Sequence, residues 1–254
     1  MPPSIHPDVP IDSLTGALTA AVADELVGLY AYGSAVSGEF DAGVSDIDLV
    51  AVTARDAANL DLDALDRVHR TFLADHPDWN DRLEVVYIGA ATLRDFRTAG
   101  ADLAVVSPGE PFHLSGPVRD WLQNWYLVRE TGIALAGRAA ADVVPEISEN
   151  EYETAVAAYA GWLAAQDLDA LSPGALAYVV LSECRALATV WTGRHCSKQE
   201  GAAWIASREP RRAALIEAAL ACRLSRDAFG FDDAETRGAA ADFVRSAAAH
   251  VWNG

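Results

Sequence analysis

Two aspartates, Asp46 and Asp48, open the apolar segment "SDIDLVAVT". Side chains two residues apart on a strand point to the same side, with Cα atoms about 6.6 Å apart, so the two carboxylates should converge while Ile47 enters the core. Like charges at that spacing repel each other unless a cation lies between them. A few hard oxygen ligands suit Mg²⁺, which completes its octahedron with water and substrate phosphates. An isolated Asp-x-Asp pair can equally be a strand end that faces solvent.

The segments on either side of this pair favour a phosphate and metal site. Gly33 and Ser34 follow the apolar run "LVGLYAY", and a turn there lets backbone N–H groups and a hydroxyl approach a phosphate, because glycine has no Cβ. Glu84 is the single carboxylate within "RLEVVYI". If its strand lies beside that of Asp46 and Asp48, the three carboxylates could form a triad. A glutamate on the wet face of an edge strand is the alternative.

Alternating periodicities predict the elements that would position these residues. The first half predicts strands at residues 26–33, 45–53 and 82–89, helices at 13–26, 60–73, 91–100 and 118–136, and a turn-rich connector at 107–117. The second half predicts only helices, at residues 151–166, 173–192, 198–207, 210–226 and 234–252. The predicted fold is therefore α+β, with a mixed sheet and flanking helices in residues 1–142 and an all-α bundle in residues 143–254.

The order of several motifs resembles a known enzyme family. The motifs are "YGSAVSGEFDAGVSDIDLVAV", "RLEVVYI", "VRETGIALAGR" and "VVLSECRALATVWTGRHCSKQEGAAW". The first resembles the polymerase-β-type nucleotidyltransferase superfamily, and the full set resembles the streptomycin/spectinomycin (aminoglycoside) adenylyltransferases over most of residues 28–210. The resemblance implies a Mg²⁺-dependent resistance enzyme that moves AMP from ATP to a hydroxyl of an aminoglycoside or aminocyclitol antibiotic, such as spectinomycin or streptomycin, and releases pyrophosphate.

The resemblance also implies roles for individual residues. The metal would be held by Asp46, Asp48 and Glu84, the last of which would also be the general base. The nucleotide would be contacted by Gly33, Ser34, Ser45, Arg185 and Lys198. Lys198 is the one lysine in a chain whose other cations are arginines. That could reflect a coding bias alone, or a need for a compact ammonium at a phosphate site.

The acceptor site is implied by fewer residues. Trp162 and Asp167 resemble the Trp/Asp pair of the streptomycin-using members, with Asp169 nearby. They lie further from Arg185 than in the family, and "ALSPGALAY" lacks the further acidic residue of those members, so spectinomycin or another cation is a possible acceptor. The alternative for Trp162 is a place in the core.

Composition narrows the partners and the compartment. The 254-residue chain carries a net charge of −18, which disfavours nucleic acid and favours a cationic small molecule. Its three cysteines have no Cys-x-x-Cys spacing and its start has no signal-peptide pattern, which predicts a cytoplasmic protein. No apolar run is expected to reach membrane-spanning length, and a monomer suffices for a site built within one chain.

Two other functions remain open at the level of sequence. One is a nucleotidyltransferase that modifies another small molecule or a protein hydroxyl, which the motifs do not separate from antibiotic transfer. The other is a non-catalytic, antitoxin-like regulatory module. The presence of Asp46, Asp48 and Glu84 favours an enzyme over that module.

Overall fold

The computed structural model describes residues 5–225 and 231–253, which fall into two compact units. The first unit runs to Ile147 and the second begins at Ser148. The chain thus divides after Ile147 rather than after residue 142. Val144 and Ile147 are buried in the core of the N-terminal unit, so this short segment belongs with the sheet.

A six-stranded mixed sheet forms the centre of the N-terminal unit. Its strands are β1 (Leu26–Tyr32), β2 (Ile47–Thr53), β3 (Leu83–Gly89), β4 (Leu103–Ser107), β5 (Glu110–Ser115) and β6 (Ile133–Gly137). They lie in the order β5-β4-β3-β2-β1-β6. Strands β2 and β3 are parallel, and the other neighbours are antiparallel. The three predicted strands are confirmed as β1, β2 and β3.

Helices cover both faces of this sheet. They are α1 (Ile11–Val22), α2 (Ser34–Ser37), α3 (Leu62–Asp75), α4 (Ala90–Arg94), α5 (Leu122–Thr131) and α6 (Ala140–Val143). Leu49 and Val85 pack on one face with residues of α1 and α3. Val50 and Val86 pack on the other with residues of α4, α5 and α6. Because both faces are buried, the central strands read as continuous apolar runs.

Several parts of the N-terminal unit differ from the sequence prediction. The helix predicted at residues 91–100 begins at Ala90 and ends at Arg94. Most of the predicted connector at residues 107–117 is strand β5, which forms a hairpin with β4 around Gly109 (φ 76°). Because Pro111 is unfavourable in most strands, the sequence does not predict a strand here. A proline is tolerated at this position because β5 is an edge strand. The predicted helix at 118–136 ends at Thr131. Gly132 interrupts it, and Ile133–Gly137 pair with β1 as strand β6.

The C-terminal unit is built from helices, as the sequence predicts. They are α7 (Glu149–Ala164), α8 (Pro173–Thr192), α9 (Lys198–Arg208), α10 (Ala213–Ser225) and α11 (Ala234–Asn253). The predicted end of the fourth helix, residue 226, lies outside the described residues. Ser148 and Ser197 form capping boxes at the starts of α7 and α9. Gly201 lets α9 lie against α8, since a Cβ there would be 2.7 Å from the Cα of Arg185.

Helix α8 forms the centre of this unit. Within the described parts of the chain it is the one helix long and apolar enough to cross a membrane, so the expectation that no apolar segment reaches that length was wrong. Its most apolar window is 67 % buried, and α7, α9, α10 and α11 all pack against it. That packing accounts for its composition.

Candidate active site

The parallel pairing of β2 with β3 brings two of the predicted carboxylates side by side. Asp48 and Glu84 are direct partners in the register of the two strands. On the other side of β2, Asp48 is paired with Tyr32 at the end of β1. Because β1 runs antiparallel to β2, its last residues meet the first residues of β2 and β3. The ends of these three strands therefore bring an aspartate, a glutamate and a tyrosine together.

The Glu84 carboxylate is held by hydroxyl groups. The Tyr32 hydroxyl donates to Oε1 of Glu84 at 3.1 Å, and the Ser107 hydroxyl donates to Oε2 at 3.5 Å. Asn124 on α5 donates to the Tyr32 oxygen at 2.8 Å. Burial, and then the negative charges of Glu84 and Asp48, raise the pKa of Tyr32 well above its ordinary value. The phenol therefore keeps its proton at neutral pH and remains a donor to Glu84.

Gly33 determines how closely the chain approaches Asp48. Its φ of 70° lies in the left-handed region that favours glycine, and a Cβ at this position would overlap the Asp48 carboxylate. Ser34 follows directly and begins α2. The turn at the end of β1 thus brings backbone and a hydroxyl next to a carboxylate.

Ser45 and Asp46 lie in the turn before β2. The Ser45 side chain, 3 % exposed, accepts a hydrogen bond from the Asp41 N–H at 2.9 Å. Its carbonyl oxygen accepts from the guanidinium of Arg82, which lies over the Trp79 ring with Cζ 4.4 Å from the centroid. Asp46 is half-buried, immediately before the strand. Ser45 therefore orders the turn from which Asp46 projects.

Carboxylate oxygens are ligands that Mg²⁺ prefers, and the sheet brings two of the three predicted carboxylates next to each other. Across residues 5–225 and 231–253, no group of three or more His, Cys, Asp or Glu side chains is arranged to hold a metal. Asp48 and Glu84 alone are adjacent by register. Mg²⁺ commonly takes one or two carboxylates together with substrate phosphates, so this donor set fits an ion that is completed by the nucleotide.

Arg185 and Lys198 belong to one cationic cluster of the C-terminal unit, centred on Tyr178. The Lys198 Nζ atom lies 3.8 Å from the centroid of the Tyr178 ring. The charge of Lys198, and then that of Arg185, lowers the pKa of the Tyr178 phenol. Burial, and then the charge of Arg185, lowers the pKa of His195 to about 4. Both predicted cations therefore act on the same small region, beside a neutral histidine.

The three predicted acceptor residues lie at the surface of this unit. Trp162 is 57 % exposed, so the alternative that it is a core residue was wrong. Its ring stacks on Tyr159 with centroids 5.7 Å apart. Asp167 and Asp169 are exposed, and the Arg237 guanidinium binds the carbonyl oxygens of this loop, those of Leu168, Asp169 and Leu171.

Sequence reasoning missed the residues that support the predicted ones. In the N-terminal unit these are Tyr32, Ser107 and Asn124. Tyr32 directly precedes the Gly-Ser pair, which is a usable signal, whereas Asn124 is distant in sequence and carries none. In the C-terminal unit the missed residues are Tyr159 and Tyr178, whose spacing looks like that of ordinary helix positions.

Comparisons with known proteins agree on both units. Residues 20–101 match the model of the nucleotidyltransferase domain, and residues 142–250 match that of the aminoglycoside adenylyltransferase C-terminal domain. The fold is similar to the crystal structure of spectinomycin adenyltransferase AAD(9) from Enterococcus faecialis, determined with ATP and spectinomycin. The TM-score is 0.71 and the identity 15 %, over 92 % of this chain and 98 % of that one. No curated protein sequence matches the chain.

Proposed function

Since the chain belongs to the aminoglycoside adenylyltransferase family of nucleotidyltransferases, we propose that it moves AMP from ATP to a hydroxyl of a cationic aminoglycoside or aminocyclitol. The observation that carries the proposal is the pairing of Asp48 with Glu84 in adjacent parallel strands, with the Gly33 backbone against Asp48. This pairing supports a site in which Glu84 accepts a proton and Asp48 binds a metal, beside a turn that a phosphate can approach.

Glu84 is the general base of the proposed reaction. Its carboxylate takes the proton of the acceptor hydroxyl, whose oxygen then forms a bond to the α-phosphorus of ATP as the bond to the bridging oxygen breaks. AMP is joined to the acceptor, and pyrophosphate leaves. Tyr32 and Ser107 hold the carboxylate by hydrogen bonds to its two oxygens, so it is oriented before the acceptor arrives.

The metal ligands of the proposed site are Asp46, Asp48 and Glu84. Mg²⁺ bound there would neutralise negative charge on the phosphates as the reaction proceeds. Asp48 and Glu84 provide the adjacent pair of oxygen donors. Asp46 projects from the turn that Ser45 and Arg82 order.

The residues proposed to bind the nucleotide are Gly33, Ser34 and Ser45 in the N-terminal unit, and Arg185 and Lys198 in the C-terminal unit. Gly33 and Ser34 offer an uncrowded backbone and a hydroxyl beside Asp48, and Ser45 supports the adjacent turn. Arg185 and Lys198 supply two positive charges within the cluster around Tyr178, in a chain whose net charge is −18. An ammonium and a guanidinium together suit a triphosphate, because one is a compact charge and the other a planar fork of donors.

The preferred acceptor is proposed to be a spectinomycin-like aminocyclitol, and streptomycin is the second candidate. AAD(9), which shares the fold, was crystallised with spectinomycin. Exposed Trp162, with Asp167 and Asp169 on the ordered loop that follows it, offers an aromatic face and two carboxylates to a cation. The missing acidic residue in "ALSPGALAY" disfavours streptomycin relative to spectinomycin.

The family assignment favours an antibiotic-modifying enzyme over the antitoxin-like alternative. Transfer to another small molecule or to a protein hydroxyl uses the same site and differs only in the acceptor. We further infer that the enzyme acts as a cytoplasmic monomer, without nucleic acid or membrane partners.

The test incubates the purified protein with ATP, Mg²⁺ and a panel containing spectinomycin, streptomycin and other aminocyclitols. Mass spectrometry should find AMP added to one or more panel members. The adduct should vanish in Asp46→Asn and Glu84→Gln and persist in Asp63→Asn, which changes an exposed carboxylate on α3. If the protein binds Mg²⁺–ATP but modifies no antibiotic, the acceptor proposal fails and other hydroxyls become the substrates to examine. If it does not bind ATP, the adenylyltransferase proposal fails.

A further inference from the structure

The single lysine of the chain lies against an aromatic ring. The other 18 residues of the Lys and Arg type are all arginines, and the Nζ atom of Lys198 is 3.8 Å from the centroid of the Tyr178 ring. A cation at that distance is attracted by the negative face of the ring. Tyr178 is on α8 and Lys198 is the first residue of α9, so the contact links two helices of the C-terminal unit.

The ring of Tyr178 is supported from α7. Its hydroxyl shares a hydrogen bond of 3.2 Å with the hydroxyl of Tyr159. Tyr159 in turn stacks on Trp162 with an angle of 20° between the rings. Tyr178 is nevertheless 43 % exposed, so a ligand can reach the pair formed by the ring and the ammonium.

The start of α9 is an unfavourable place for a lysine that had only a structural role. The N-terminus of a helix carries partial positive charge, which repels an ammonium and attracts anions. The charge of Arg185 also acts on Tyr178, so a second cation is close to the same ring. The long, flexible stem of Lys198 would otherwise let its ammonium turn away from both.

We infer that Tyr178 is a positioning residue, whose ring holds the Lys198 ammonium in the place where nucleotide phosphates contact it. The inference rests on the proposed function, in which Lys198 binds ATP. A ring face attracts an ammonium without neutralising its positive charge, so the held ammonium can still attract phosphate oxygens. A carboxylate in the same place would occupy donors and neutralise the charge.

Kinetics of three variants test this role. Tyr178→Leu removes the ring and should raise the KM for ATP about tenfold, the size expected for one partly desolvated cation–π contact. Tyr178→Phe keeps the ring and should stay within about twofold of the wild type. The KM for the antibiotic acceptor should not change in either. Trp191→Leu is the matched control, since it removes another exposed aromatic side chain of α8.

A spectroscopic readout follows from Lys198 being the only lysine. The full-length protein labelled with ¹³C,¹⁵N-lysine should give one set of lysine side-chain signals, shifted upfield by the ring current of Tyr178. The shift should be retained in Tyr178→Phe and lost in Tyr178→Leu. Addition of Mg²⁺–ATP should move the wild-type signals.

The combined results separate the inference from the function on which it rests. If Lys198→Ala impairs ATP binding but Tyr178→Leu has a wild-type KM for ATP, the positioning role is wrong and the function stands. The positioning role is also wrong if Tyr178→Leu raises only the KM for the acceptor, because Tyr178 then contacts that substrate. If the wild type binds no ATP and its lysine signals do not respond, the proposed function and the inference fail together. Both the function and the inference are supported if the wild type gives ring-shifted lysine signals and if the KM for ATP is raised in Tyr178→Leu but not in Tyr178→Phe.

Discussion

Two glutamates, one in each unit, differ in their burial and in their hydrogen bonding. Glu84, on β3 of the N-terminal unit, is half-buried and accepts hydrogen bonds from Tyr32 and Ser107. Glu183, on α8 of the C-terminal unit, is fully buried, and neither of its carboxylate oxygens has a hydrogen-bond partner among the described residues. Burial raises the pKa of Glu183 to about 8, so it is largely neutral in the folded protein at pH 7.

The hydrogen-bonded carboxylate of Glu84 is suited to catalysis, whereas the buried carboxyl of Glu183 lowers the stability of the folded protein when it ionises. A charged group that is oriented by donors and open to ligands can accept a proton from a substrate. A buried group without partners instead raises the free energy of the folded state whenever it must ionise. Substitutions at the two positions should therefore affect different quantities.

The largest expected effect is the loss of activity in Glu84→Gln. The amide cannot accept a proton from the acceptor hydroxyl, so kcat should fall by about 10²–10⁴-fold, the usual contribution of a general base. Because the amide keeps the shape of the side chain, the denaturation midpoint should move little. Steady-state rates and urea unfolding of the same preparations check both expectations, with Asp63→Asn as the control. A variant with near wild-type kcat would show that Glu84 is not the base.

The next effect is a pH-dependent gain of stability in Glu183→Gln. The pKa of Glu183 is raised from 4.5 to about 8 in the folded state, so the folded state binds more protons than the unfolded state between these values. Wild-type stability from this group is therefore greatest below pH 4.5 and is lost as the pH rises to about 8. The variant has no such loss and should be more stable than the wild type by about 2–4 kcal/mol at pH 8.

Urea unfolding at pH 5 and at pH 8 measures this difference. The two proteins should differ much less at pH 5, where Glu183 is protonated in the folded state and only partly ionised in the unfolded one. Glu217→Gln, which changes an exposed glutamate of α10, should have the same small effect at both values. A difference between wild type and Glu183→Gln that is equal at pH 5 and pH 8 would contradict the assignment of the pH dependence to this carboxyl.

Gly33 and Gly38 differ in how close an added side chain would come to Asp48. Gly33 and Gly38 have φ values of 70° and 84°. Gly38 is in the left-handed helical region, where alanine costs about 1–2 kcal/mol of stability. Gly33 has a ψ of −149°, in a region that is essentially restricted to glycine, so the cost there is at least as large. A Cβ at Gly33 would also overlap the Asp48 carboxylate, whereas a Cβ at Gly38 has open space around it. Gly33→Ala should therefore lose at least about tenfold in kcat/KM, from a misplacement of the carboxylate, and Gly38→Ala should keep its activity. Equal activities of the two variants would show that Asp48 does not need the close approach.

The smallest expected effect comes from Tyr32→Phe. Losing one hydrogen bond to the Glu84 carboxylate should lower kcat by about tenfold, which corresponds to the lower end of the ~1.5–3 kcal/mol that a bond to a charged group contributes. Tyr30→Phe is the matched control on the same strand, because the Tyr30 hydroxyl donates to the carbonyl of Arg138 at 2.9 Å. That control should lose stability without a comparable loss of kcat. If both variants lower kcat equally, the effect belongs to packing of β1 rather than to Glu84.

Much of the site was predictable because strand geometry is regular. Alternation along "SDIDLVAV" places Ile47 in the core and the aspartates on the opposite side, and Ile47 is 1 % exposed in the structure. The hairpin of β4 and β5 was not predictable in the same way, because Pro111 and Gly109 give this segment the composition of a loop. Its pairing with the rest of the sheet overrides that local signal.

Local spacing and sequence motifs were sufficient to predict the fold class, and they indicate the carboxylates and the two cations as candidate site residues. The surroundings of these residues depend on tertiary packing. The pairing of Asp48 with Glu84 depends on the parallel register of β2 and β3, and the placing of Tyr178 beneath Lys198 depends on the packing of α8 against α9. Such contacts join residues that are distant along the chain. Local patterns do not predict them, because they depend on how whole strands and helices pack against each other.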